Sequence, residues 1–110
     1  DMAYVAADFI ISRAGAIAIA EIIAVKKPAI LIPLPSAAED HQTKNASTLV
    51  DGDAALMIKE ENAISSLPVV IKSLVENTKL QETIIKNLDN FSYPDAAENI
   101  ANEAIKMTNI

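Results

Sequence analysis

Short apolar runs separated by a helix-like segment constrain the fold of this chain more than any other feature. Phe9 to Ser12 and Ala29 to Ile32 are apolar runs of strand length, and Ala16 to Val25 between them carries a single charge, at Glu21. Alanine and glutamate favour helix, and ten residues is long for a strand. Apolar strands that alternate with helices are typical of a parallel sheet with right-handed crossovers. We therefore predict an α/β fold.

The following segments continue this alternation. A second helix is expected to begin at Ser36, where a capping-box pattern starts, or at Asp40, and to end near Val50. After a turn, Ala54 to Ile58 predicts a third and weaker strand. The Ala-rich start of the chain, Met2 to Ala7, is interpreted as the end of another helix.

The C-terminal part of the chain is predicted to be helical. Apolar residues recur with a period near 3.6 over Leu67 to Val75 and over Leu80 to Leu88, and a last helix begins at Ser92. The predicted order is therefore β-α-β-α-β followed by three helices, with about three strands in the parallel sheet. Phe9 to Ser12 is expected to leave one open sheet edge.

Composition excludes several classes of function. The 110 residues allow one domain with one core, and no run reaches the roughly 18 apolar residues that span a bilayer. A net charge of -6 disfavours binding of nucleic acid by bulk electrostatics. Without cysteine and with one histidine, the chain offers no disulfide, thiolate zinc site or multi-histidine metal site. No spacing of carboxylates indicates a hard-metal site, so we expect neither a metal nor a cofactor.

A polar cluster, Asp40 to Ala46, lies where the second predicted strand gives way to a helix. On a helix, Gln42 and Asn45 are three residues apart and His41 and Asn45 are four apart, so the three side chains share a face. Ligands of parallel sheets lie at the carboxyl ends of the strands. Two amides and an imidazole at that edge suit a ligand rich in hydroxyls, such as a sugar. Alternatively, Gln42 and Asn45 are solvated helix positions, and His41 is a general base or forms hydrogen bonds at the helix end.

The turn from Ser12 to Ala16 is a second candidate for ligand binding. Backbone N–H groups at a helix N-terminus favour anions, and glycine lets a ligand approach the backbone, so this turn could bind a diphosphate. Alternatively, Gly15 is the default residue of a tight turn. Glu21, one helical turn beyond, could accept hydrogen bonds from a ribose diol; the alternatives are a partner such as Arg13 or a lysine, or simple exposure. The remaining carboxylates considered, Glu60, Glu61, Glu76 and Glu82, are interpreted as solvated.

Together these segments resemble the MurG family of N-acetylglucosaminyltransferases, glycosyltransferase family 28, which have two domains of the GT-B type. The resemblance covers nearly the whole chain, and it implies that residues 1–110 are the C-terminal part of the donor-binding domain, with a partial Rossmann-like sheet. The matching segments are Asp1 to Asp8, Ile11 to Ala16, Glu21-Ile22, Ile32 to Pro35, Asp40 to Ala46, Asp53 to Ala55 and Pro94 to Ala97.

The resemblance implies that the chain binds UDP-N-acetylglucosamine. Backbone amides of the glycine turn would face the diphosphate or the sugar. The Glu21 carboxylate would hold the ribose hydroxyls, and the polar cluster would contact the N-acetylglucosamine. Ala18 stands where the family often carries threonine, so a side-chain hydroxyl contact is lost there. No residue of this chain is implied to be catalytic. The implied donor contacts are Gly15, Ala16, Ile17, Glu21, His41, Gln42 and Asn45.

The implied parent enzyme transfers N-acetylglucosamine to lipid I, forming lipid II for peptidoglycan, and it is a peripheral protein on the cytoplasmic face of the inner membrane. Lipid I would bind a missing N-terminal domain, so this fragment is expected to be inactive by itself. Two alternatives are a donor-binding subunit of a split two-chain transferase and a non-enzymatic α/β interaction module. The isolated chain is expected to form a homo-oligomer through the open edge at Phe9 to Ser12.

Overall fold

Strands and helices alternate along the part of the chain that the computed structural model describes, residues 4–5 (backbone only), 8–35 and 41–91. None of these described helices is long and apolar enough to cross a membrane. The predicted last helix, from Ser92, lies outside the described residues. In chain order the elements are β1 (Tyr4–Val5), β2 (Ile10–Ser12), α1 (Ala16–Val25), β3 (Ala29–Leu31), α2 (His41–Asp51), β4 (Leu56–Met57), a 3-10 turn (Glu60–Asn62), α3 (Ala63–Glu76) and α4 (Thr78–Leu88).

The strands form one sheet in the order β1-β2-β3-β4. β2, β3 and β4 run parallel, with Ile11 opposite Ile30 and Leu31 opposite Met57. The predicted parallel sheet of three strands, connected by helices, is thereby confirmed. β4 is shorter than predicted, but Ala54, Ala55 and Ile58 around it are buried.

β1 corrects two predictions about the N-terminal region. Met2 to Ala7 was expected to end a helix, but Tyr4 and Val5 pair antiparallel with Ile11 and Ile10. Tyrosine and valine favour strands, and the free N–H and C=O groups along β2 give them partners that the local sequence does not reveal. β2 therefore has neighbours on both sides. It is not the open edge that was predicted, so the reason for expecting a homo-oligomer through β2 disappears.

The core is built on β3, whose three residues are all buried, as expected for an apolar strand covered on both faces. Full burial of one such Ile or Leu side chain stabilises the fold by about 1.5–3 kcal/mol. α1 contributes Ala20, Ile22 and Ile23 to this core, while Glu21 and Val25 are exposed. Among the ten residues of α1, three are buried and only these two are exposed, so the described chain covers most of the helix. Other helices contribute Ala46, Leu49, Leu74, Ile84 and Leu88.

Local signals for helix ends hold in the structure. α1 ends at Lys26, which has a left-handed φ of 55° and donates its N–H to Ile22 O at 2.9 Å, two residues before Pro28. A single residue, Asn77, separates α3 from α4, and its Oδ1 accepts a hydrogen bond from Leu80 N at 3.0 Å. The first cap ends the helix that connects β2 to β3, and the second begins α4 directly after α3.

Candidate functional site

Three loops lie side by side at the carboxyl edge of the parallel strands. Backbone hydrogen bonds continue beyond the strands, from Ile32 N to Ser12 O at 2.9 Å and from Ile58 N to Leu31 O at 2.9 Å. They hold the loop after β2 beside the loop after β3, and the loop after β3 beside the segment after β4. Ser12 to Gly15 therefore lie at the edge where ligands of parallel sheets bind.

The N-terminus of α1 is open at this edge. Gly15 is its N-cap, no described side chain caps it, and its first turn contains no acidic residue. The first N–H groups of the helix, including those of Ala16 and Ile17, have no partner within the helix and lie at the positive end of the helix dipole. This arrangement favours a phosphate or another anion.

The backbone at Gly15 does not itself require glycine. Its φ is -67°, a value that any residue adopts. A Cβ at this position would lie 3.9 Å from Gln42 Nε2, an ordinary contact distance. Because glycine has no side chain, its backbone lies uncovered next to the side-chain amide of Gln42. A ligand could therefore approach both the backbone and this amide closely.

Gln42 and Asn45 hold this turn from α2. Gln42 Oε1 accepts hydrogen bonds from Leu34 N at 2.8 Å and from Ala14 N at 3.3 Å. Asn45 Nδ2 donates to Ala14 O at 3.0 Å. Both main-chain groups of the fully buried Ala14 are thus bonded by side chains one helical turn apart. The predicted shared face is confirmed, whereas the interpretation as solvated helix positions is wrong.

The hydrogen bonds also define which end of the Gln42 amide is free for another role. Because an amide oxygen accepts and the NH₂ group donates, the two backbone donors identify the oxygen of Gln42. Its nitrogen then lies beside Gly15. A ligand bound at the open end of α1 would therefore meet a side-chain donor as well as backbone N–H groups.

Glu21 and His41, unlike Gln42 and Asn45, have exposed side chains. Glu21 is exposed on α1. Its suggested partner Arg13 pairs with Glu60 instead, which leaves exposure as the arrangement observed. His41 is the exposed first residue of α2 and directly precedes Gln42.

An arginine and a glutamate that the sequence did not connect also meet at this edge. Arg13 Nη1 donates to Ile32 O at 3.3 Å, and the two guanidinium nitrogens bond both carboxylate oxygens of Glu60, with Nη2 to Oε1 at 3.1 Å. The hydrogen bond lowers the pKa of Glu60 and raises the pKa of Arg13. Glu60 is therefore not merely a solvated carboxylate. Forty-seven positions separate the pair, and no local pattern signals it.

A depression of about 360 Å³ opens at the same edge, beside the predicted contact residues and not on them. Its wall includes Thr43 from the first turn of α2, next to Gln42 in sequence. Within the described residues, no group of three histidine, aspartate or glutamate side chains converges as a metal site. The other residues around the depression are Pro33, Pro35, Met57, Lys59, Glu60 and Glu61.

A parallel sheet with an open, glycine-capped helix at its carboxyl edge defines an α/β domain suited to anionic ligands. The chain belongs to glycosyltransferase family 28: its residues 1–100 match the Glycosyltransferase family 28 C-terminal domain. The family resemblance seen in the sequence motifs is thereby confirmed.

The relatives are curated proteins named UDP-N-acetylglucosamine--N-acetylmuramyl-(pentapeptide) pyrophosphoryl-undecaprenol N-acetylglucosamine transferase. That of Cytophaga hutchinsonii is 47% identical over 107 residues, which are 97% of this chain and 29% of the relative. That of Flavobacterium psychrophilum is 42% identical with the same coverage. That of Bacteroides fragilis is 46% identical over 106 residues, 96% of this chain and 28% of the relative. The chain thus spans less than a third of the length of these relatives.

Proposed function

We propose that residues 1–110 are the donor-binding part of a longer transferase that moves N-acetylglucosamine from UDP to a lipid-linked acceptor. The observation that carries the proposal is the open N-terminus of α1 at Gly15, with the Gln42 amide held beside it. Family membership and the activity for which the relatives are named support the same conclusion.

The open helix end is proposed to bind the diphosphate of the donor. Backbone N–H groups of Gly15, Ala16 and Ile17 would donate to its oxygens, with help from the helix dipole. Glu21 lies four residues after Ile17 on the same helix, so its exposed carboxylate is available to accept hydrogen bonds from the two ribose hydroxyls.

The sugar is proposed to lie toward the start of α2. Gln42 Nε2 would donate to a sugar hydroxyl, and Asn45 and the exposed His41 flank it on the same helix. Because Gln42 Oε1 and Asn45 Nδ2 already bond the main chain, each amide has one end left for the sugar. These contacts would select among sugars by matching their hydroxyls.

In the reaction, the acceptor hydroxyl would attack the anomeric carbon, a new carbon–oxygen bond would form, and the bond to UDP would break. The residues proposed here position the donor and move no proton. Contacts made equally in the ground state and the transition state do not lower the chemical barrier, so the chain by itself is expected to be inactive. The acceptor and the catalytic base belong to the rest of the proposed parent.

The acceptor class also suggests where the parent works. The names of the relatives specify an undecaprenol-linked acceptor. A transferase with such an acceptor works at a membrane surface, and we propose the cytoplasmic face, where nucleotide sugars are available. A donor-binding subunit of a two-chain enzyme would meet the same requirement.

One observation favours the non-enzymatic alternative. Gln42 and Asn45 already support the turn at Ala14, which is a sufficient structural role for both. Glu21 has no such role in the described structure, so it separates the two proposals most clearly.

Replacement of Glu21 by alanine in the full-length protein tests the proposal. Losing hydrogen bonds to a charged group costs about 1.5–3 kcal/mol, so kcat/KM for UDP-N-acetylglucosamine should fall roughly ten- to a hundred-fold. Glu82→Ala, which removes an exposed carboxylate from α4, is the matched control and should leave kcat/KM unchanged. Equal values for the two variants would contradict the ribose role.

A further inference from the structure

The Arg13–Glu60 pair connects the segments that form the candidate site. Arg13 is the first residue after β2 and lies two residues before Gly15, the N-cap of α1. Its guanidinium contacts Ile32 O in the loop after β3 and Glu60 in the 3-10 turn after β4. One side chain therefore fastens together the segments that follow all three parallel strands.

Two successive residues of the turn are held by different groups. Ala14 is bonded by Gln42 and Asn45 from α2, whereas the Arg13 side chain shares a surface depression with Ile11, Glu60 and Ala63. The turn that opens α1 is thus held by neutral side-chain amides at the Ala14 backbone and by an ion pair at the Arg13 side chain.

We infer that Glu60 is a positioning residue for the proposed donor site, which it serves by holding Arg13 and through it the backbone at the start of α1. The inference rests on the proposed function, in which those backbone N–H groups bind the diphosphate. Glu60 itself is not proposed to touch the donor. A bidentate arginine–carboxylate pair fixes orientation as well as distance, as this role needs.

A pair of the same kind at the opposite edge of the sheet provides a matched control. Lys26, at the end of α1, forms an ion pair with Asp89, just after α4. Both pairs are partly exposed, so each contributes little to overall stability. Asp89→Ala removes an ion pair without touching the carboxyl edge.

The experiment is a kinetic cycle in the full-length protein with Glu60→Ala, Arg13→Ala, the double variant and Asp89→Ala. Glu60→Ala should raise KM for the donor about three- to ten-fold, with kcat and the acceptor KM nearly unchanged. Arg13→Ala should raise KM for the donor further, because it also loses the Ile32 contact. The double variant should have the same donor KM as Arg13→Ala alone. Asp89→Ala should match the wild type.

Amide hydrogen exchange of the ligand-free protein supplies a second readout. Exchange at Ala14 to Ile17 should be faster in Glu60→Ala than in Asp89→Ala, because the Arg13–Glu60 pair holds this turn before any donor binds. If Glu60→Ala resembles Asp89→Ala in both assays, or if the Arg13 and Glu60 effects on KM multiply, the inference is overturned. Absence of saturable donor use by the wild type would instead overturn the proposed function, and the exchange data would still decide whether Glu60 braces the turn.

Discussion

Gln42 is predicted to have two separable roles, one in the fold and one in donor binding. Its oxygen accepts from Ala14 N and Leu34 N, while its nitrogen lies beside Gly15. Gln42→Ala removes both ends of the amide. Gln42→Glu keeps an oxygen that accepts the same two hydrogen bonds and replaces the nitrogen by a second, negatively charged oxygen.

The structure sets the size of the effect on stability. Ala14 is fully buried, so its N–H would lose its acceptor without access to water, at a cost of about 1–2 kcal/mol. Leu34 is 41% exposed, so its N–H can turn to water at a cost of about 0.5 kcal/mol or less. Gln42→Ala should therefore lower the free energy of unfolding by about 1–2.5 kcal/mol. Gln42→Glu should stay within about 0.5 kcal/mol, because a carboxylate near a helix N-terminus is tolerated.

Urea denaturation of the 110-residue chain measures the first role. With a slope of about 2 kcal/mol per molar urea, Gln42→Ala should shift the midpoint down by about 1 M, and Gln42→Glu should shift it little. Donor titration of the full-length protein measures the second role, and here Gln42→Glu should bind at least about ten-fold more weakly, since it places a charge beside the diphosphate. Wild-type donor affinity in Gln42→Glu would exclude a donor contact at Nε2, and wild-type stability in Gln42→Ala would exclude the support of Ala14 by Oε1.

Two further predictions concern charge and assembly. The pKa of Glu60 is lowered by Arg13, so the contribution of the pair is complete above the ordinary glutamate pKa of about 4.3 and is lost as the pH falls through the lower folded-state pKa. An NMR titration of the Glu60 carboxyl carbon should show a higher midpoint in Arg13→Ala than in the wild type, and an unchanged midpoint would show that the pair does not form in solution. Because β1 covers β2 and the outer described strands, β1 and β4, have two residues each, edge pairing offers little, so the 110-residue chain should be a monomer at micromolar concentration. Sedimentation equilibrium that yields a dimer mass would contradict this revised expectation.

Local sequence signals predicted the elements whose cause is local. α1 begins and ends where predicted, at Ala16 and Val25, because a glycine turn precedes it and a proline follows it within three residues. β3 was predictable because a fully apolar run between two helices has few places other than the centre of a parallel sheet. β1 was not predictable from the sequence, because a strand of two residues is defined by its pairing with β2.

The candidate site shows the same division. Helical spacing placed Gln42 and Asn45 on one face, but it did not reveal that this face would meet Ala14, which lies 28 and 31 residues earlier. Composition likewise made Glu60 look solvated, because its partner is determined by how the loops after β2 and β4 meet. Contacts between loops depend on the assembled sheet, and no periodicity in the sequence encodes them.

Backbone amide chemical shifts of the full-length protein during titration with UDP-N-acetylglucosamine are the sharpest test of donor binding at the start of α1. We expect the largest saturable shifts at Gly15, Ala16 and Ile17, because their N–H groups would bind the diphosphate. Asp53, in the turn before β4 at the other edge of the sheet, should not respond. Saturable binding that leaves Gly15 to Ile17 unshifted, or no binding at millimolar donor, would contradict the assignment of this edge as the donor site.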